Sequence, residues 1–141
     1  MAQLGRKVYL APDVMSAFVD RANPKHDQAT AFFRYFALEG YHLYTDNISI
    51  YDTYRRIEND ISASVAKDFL RTIGVSSISI LHPDESDMRA ATKFYLNDKS
   101  GDLTYQKAIM AVLADRRGIG QVATFEYLHA VFGLGIFYIP I

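Results

Sequence analysis

At 141 residues, half of them hydrophobic and with a net charge of −1, the chain can bury one core. It is neither a disordered tail nor a strongly basic nucleic-acid coat. With no cysteine it builds no disulfide or thiolate metal site, and no apolar run is long enough to cross a membrane. A single soluble, cytoplasmic domain over residues 1–141 is expected, in which any RNA or DNA contact rests on a local basic patch.

In chain order, Lys7–Leu10 predicts a buried strand that runs through Ala11, Pro12 and Asp13 into a helix. Ala29, Phe32, Phe33 and Phe36 fall at helical spacing, with Gly40 placed to end that helix. A second strand is predicted at Tyr41–Tyr44. Ile50, Tyr54, Ile57 and Ile61 then mark one helix, and Val65, Ala66, Phe69, Leu70 and Ile73 another, with Gly74 as its stop. Ser77–Leu81 predicts a third strand, and Met88, Ala91 and Tyr95 a helix after His82-Pro83. Tyr105, Ala108, Ile109 and Val112 outline the next helix, which ends at Arg116-Arg117-Gly118, where cations suit the helix dipole. Gln121–Phe125 and Ile136–Ile139 complete a set of five strand candidates.

Strands alternating with helices imply an α/β fold: three α/β/α layers around a central, mostly parallel sheet of four or five strands. Ligands of such folds bind beyond the carboxyl ends of the strands. Acids stand at three of those ends: Asp13, Asp46 and Glu126. Carboxylates brought together there repel one another unless a cation or a proton lies among them, whereas carboxylates that cap helices need no ligand. Either role fits each acid. No GxGxxG or GxxxxGK[ST] segment is present, which disfavours a nucleotide-binding or phospho-receiver module.

The order and spacing of several segments resemble the PIN-domain family, in particular its small VapC-type toxin ribonucleases. VYLAPDVMSAFVD resembles the opening strand and helix, and His26 with Ala29 resembles the pair that begins the second helix. TDNISIYDT (45–53), LTYQKAIMAVLADRRG (103–118) and VATFEYLHAVFGLGIFYIP (from residue 122) resemble the segments that carry the later acids and the closing strand. The resemblance implies a PIN-like fold and about four carboxylates holding Mg²⁺ or Mn²⁺ for phosphodiester hydrolysis, since hard cations take oxygen ligands and two metals can clamp attacking and leaving oxygens.

Carried onto this chain, the acidic positions fall on Ala11, Asp52, Lys107 and Glu126. Alanine supplies no ligand, and a lysine ammonium repels a metal or takes its place beside Asp52 or Glu126. The remaining acids, Asp52 and Glu126, are exchanged in length relative to the family pattern. Asp13 is the nearest substitute for the missing first ligand, so a rebuilt metal and catalytic set of Asp13, Asp52 and Glu126 is conceivable, with Asp46 or Asp102 in support. Each has a structural alternative: Asp13 and Asp102 as helix caps, Asp52 as an exposed helical residue, Glu126 at a helix start.

Lys107 is either solvated or a phosphate contact for RNA. Arg55 and Arg56, beside Glu58 and Asp60, read as a solvated helix face. Tyr51, Tyr54, Tyr95, Phe132 and Phe137 are candidates for a protein interface. The resemblance implies a homodimer and an antitoxin protein as partners. The expected function is therefore a VapC-like protein with an altered acidic site that binds RNA or protein and cuts weakly or not at all. The alternative is an active Mg²⁺- or Mn²⁺-dependent endoribonuclease with a relocated carboxylate cluster.

Overall fold

The computed structural model describes residues 6–126 and 134–136. The first strand, β1 (Lys7–Leu10), leads directly into α1 (Pro12–Val19), followed by α2 (His26–Glu39). Next come β2 (His42–Asp46), α3 (Asn47–Asp60), α4 (Ala63–Val75) and β3 (Ser79–Leu81). The order continues with α5 (Glu85–Asn97), α6 (Tyr105–Arg116), β4 (Gln121–Ala123) and β5 (Gly135–Ile136). All strand pairings are parallel, in the order β3-β2-β1-β4-β5. The expected α/β architecture is therefore present, with five strands in the sheet among the described residues.

Period-two alternation along β1 divides the interior. Val8 and Leu10 point into one core with Val14, Phe32, Phe36, Ile57 and Phe69, whereas Tyr9 points into a second with Val112, Leu113 and Val122. Helices α1 to α4 cover the first face of the sheet, and α5 and α6 the second. Because β1 is covered on both faces, all of Val8, Tyr9 and Leu10 are buried, which is why the strand reads as a continuous apolar run.

Several boundaries differ from expectation. α4 runs through Gly74 to Val75, with Ser76 as its cap; a side chain at Gly74 would meet nothing, so that glycine is no stop. Gly40, in contrast, has φ 70° and ends α2 as expected. Asp102 does not cap α6; Thr104 does, its hydroxyl accepting from the Lys107 amide at 3.1 Å. α6 is not one-faced either. Residues Ala108 through Ala114 are all buried, because the helix lies between the sheet and α5, while Tyr105 stays exposed against Thr92.

At the other end of α6, Arg116 does more than complement the dipole. Its guanidinium reaches the buried Asp87 of α5 at 2.6 Å. The third and fourth strands are shorter than predicted, and β2 extends to Asp46. Of the predicted last strand, residues 137–139 lie outside the described residues, as do Phe132 and Phe137. Tyr51 and Tyr95 are exposed, whereas the half-buried Tyr54 packs on the first core and donates its hydroxyl to Glu58.

Candidate functional site

The carboxyl ends of β1 and β4 open into a narrow cleft lined by Ala11, Pro12, Asp13, Arg56, Gln106, Lys107, Met110, Thr124 and Glu126. Four chain segments meet there: the β1–α1 junction, α3, the first turns of α6, and the exit of β4. The Ala11 amide donates to the Ala123 carbonyl at 3.1 Å, fixing the junction against β4. Ala11 is also the N-cap residue of α1 and offers no side-chain cap. The cleft has room for roughly one water.

Asp13 does not cap α1, since it lies within the first turn, after Pro12. Its carboxylate instead ties α1 to the end of β4. The Thr124 hydroxyl lies 3.0 and 2.9 Å from its two oxygens, the Phe125 amide donates at 2.8 Å, and the Val14 amide at 2.9 Å. Burial pushes the Asp13 pKa up most strongly, and the Glu126 charge adds to this. The Phe125 and Thr124 donors oppose the rise, and the balance remains upward.

Lys107 is not solvated. Its side chain is only 18% exposed, and the ammonium lies 3.0 Å from Glu126 Oε1. The same local rule that starts α6 positions it: Thr104 captures the Lys107 amide, so the side chain leaves the first turn toward the cleft. Arg56 likewise lines the cleft instead of joining an entirely solvated face. Its Nε meets Asp52 Oδ2 at 3.2 Å, one helical turn away along α3.

Asp46 is a buried helix cap. Its oxygens accept from the Ser49 amide (2.7 Å), the Ser49 hydroxyl (2.8 Å) and the Tyr9 hydroxyl. Gln106 donates to Ser49 Oγ at 2.9 Å, which links this network to the first turn of α6. Tyr9 is pushed far above the ordinary phenol range, first by burial and then by the Asp46 charge and hydrogen bond. Asp102 lies in the exposed loop before α6 and does not line the cleft.

The structure thus brings Ala11, Asp13, Lys107 and Glu126 into one cleft, while Asp52 enters only through Arg56. Sequence reading missed Arg56, Gln106 and Thr124 as cleft residues. For Arg56 the signal was its i+4 spacing from Asp52; for Thr124 and Gln106 there was none beyond adjacency to Glu126 and Lys107.

A hard divalent cation is poorly served by these donors. Asp13 already accepts from protein donors on both oxygens, Glu126 faces an ammonium, Asp52 a guanidinium, and Ala11 offers nothing. Among the described residues no three Asp, Glu or His side chains gather as a metal-holding group.

The parallel sheet and the helices on its two faces match a PIN-like fold. The solved structures it resembles include Mycobacterium tuberculosis VapC20, a sarcin-ricin loop cleaving toxin, with TM-score 0.76 at 13% identity over 84% of this chain and 89% of that one. FitAcB from Neisseria gonorrhoeae superposes with TM-score 0.66 at 14% identity, over 93% of this chain and 96% of that one. VapBC2 from Rickettsia felis, bound to a DNA fragment from their promoter, gives 0.69 at 10% identity over 92% and 96%. No family model and no curated protein matches the sequence. At such identities the likeness is one of fold, and function must be argued from the cleft itself.

Proposed function

We propose that this chain is a VapC-like protein whose metal-dependent RNA cleavage is weak or lost, and that it acts by binding a partner. One observation carries the reading: an ammonium, Lys107 Nζ, stands 3.0 Å from Glu126 where the family resemblance calls for a third acid. A cation there opposes both metal entry and metal activation of water. The Arg56–Asp52 pair and the apolar Ala11 support the same conclusion.

A protein partner fits better than RNA. The cations lining the cleft are already matched by acids, and the chain as a whole carries a net charge of −1. The similar solved structures include VapBC2 and FitAcB, which supports an antitoxin-type partner, and the exposed Tyr51 and Tyr95 offer apolar area for it or for a homodimer.

A second reading keeps an active Mg²⁺- or Mn²⁺-dependent endoribonuclease using Asp13, Asp52 and Glu126. It draws on the placement of Asp13 and Glu126 in one cleft. Incubation of a mixed RNA pool with the purified protein and Mn²⁺ separates the two. The expected result is no metal-dependent cutting. Cutting that requires Mn²⁺ and disappears in Asp52→Asn and Glu126→Gln would establish the nuclease instead. Light scattering of the purified chain tests the homodimer, and co-expression with a neighbouring gene product the antitoxin.

A further inference from the structure

We infer that the chain supplies its own cation to this cleft: the Lys107 ammonium is the resident counter-ion of Glu126 beyond β4, and Arg56 serves Asp52 in the same way. This rests on the reading above for the location of the site. It concerns what neutralises the acids, not whether RNA is cut.

Acids gathered at one sheet edge need a compensating charge, and Asp13 and Glu126 line the same cleft. Lys107 meets that need from a fixed position. Its amide is held by Thr104, its side chain is mostly buried, and its ammonium lies 3.0 Å from Glu126 Oε1. A tethered cation competes at a high effective concentration against an ion arriving from solution, so a divalent metal must displace it and also accept its repulsion.

The cleft has room for about one water beside the ammonium, so a divalent ion would enter without most of its hydration shell. Nor does it offer a replacement ligand at Ala11, and the two oxygens of Asp13 already take the Val14, Thr124 and Phe125 donors, which a metal would have to compete with. Arg56 repeats the arrangement on α3, where Asp52 is paired within its own helix. The cleft is therefore built to stand without a divalent ion.

The test is Mn²⁺ titration by calorimetry, together with melting curves in EDTA and in millimolar Mn²⁺. The proteins compared are the wild type, Lys107→Met, Lys107→Asp, and the double variant Ala11→Asp with Lys107→Asp. The wild type is expected to give no binding heat and the same melting temperature in EDTA as in Mn²⁺. Lys107→Met is expected to melt a few degrees lower than the wild type in EDTA. Lys107→Asp and the double variant are expected to bind Mn²⁺ at least about tenfold more tightly than the wild type, with melting temperatures that rise on adding it.

Wild-type Mn²⁺ binding as tight as that of the variants would overturn the resident cation, as would a Lys107→Met variant that melts like the wild type. If the double variant does not fold, Lys107→Asp alone decides the metal arm. RNA cutting by a wild type that binds no Mn²⁺ would sink the lost-cleavage reading and leave the resident cation standing. Mn²⁺ binding without cutting would do the reverse.

Discussion

Lys107 Nζ and Glu126 Oε1 lie 3.0 Å apart, joining the first turn of α6 to the segment that leaves β4. The pair is unequal in setting, with the lysine side chain 18% exposed and the glutamate 47%. Partial exposure of one partner limits its worth to about 1 kcal/mol, above the usual surface pair and well below a buried one. A double-mutant cycle with Lys107→Met and Glu126→Gln, followed by urea unfolding, should return a coupling of that size. A coupling indistinguishable from zero would mean that the two side chains do not hold each other in solution.

Two aspartates of similar appearance in the sequence should behave oppositely. Asp46 is buried and satisfies the Ser49 amide, the Ser49 hydroxyl and the Tyr9 hydroxyl, so Asp46→Ala removes a helix cap and strands buried donors. Its expected cost is roughly 2–4 kcal/mol. Asp52 makes one exposed i,i+4 pair with Arg56, and Asp52→Ala should cost no more than about 0.5 kcal/mol. Tyr9→Phe should fall between them, at about 1–2 kcal/mol, because it leaves Asp46 with its Ser49 donors. Urea midpoints at neutral pH check the order.

Acid should weaken the contact between α5 and α6 through Asp87. Burial alone would raise the pKa of this carboxyl. The Asp84 amide and the Arg116 guanidinium outweigh it, and the group is held below the ordinary carboxylate value. A depressed folded-state pKa means that the unfolded chain binds the proton more readily. The stabilisation is therefore complete above the ordinary aspartate pKa of about 4 and is lost as pH falls below it. Asp87→Asn should lower stability at neutral pH and flatten the decline between about pH 4 and the acid limb. Urea unfolding across that range measures it, and a wild-type decline equal to that of Asp87→Asn would rule the group out.

Much of the fold was legible because its signals are local. The apolar run of β1, the helical spacing of Phe32 and Phe36, and Gly40 at the end of α2 depend on residues within a turn or two of each other. The family resemblance implied that Ala11, Lys107 and Glu126 share one site, and the three line one cleft. Local signals failed where a neighbour in space changed the outcome. Gly74 continues a helix, because glycine in an exposed last turn is tolerated when nothing requires a left-handed residue. α6 lost its polar face because α5 and the sheet cover both of its sides.

By itself, then, the sequence determined the α/β layering, which follows from residue type and spacing, while the gaps at Ala11 and Lys107 were implied only by its family resemblance. The tertiary structure alone decided what became of the charges. It turned Asp13 inward onto Thr124 and the Phe125 amide, sealed Asp46 beneath Tyr9, and set the Lys107 ammonium against Glu126. Periodicity cannot reveal this, because the interaction of two charges depends on their separation and burial in space, and residues far apart in the chain acquire both only when the sheet brings their strands together.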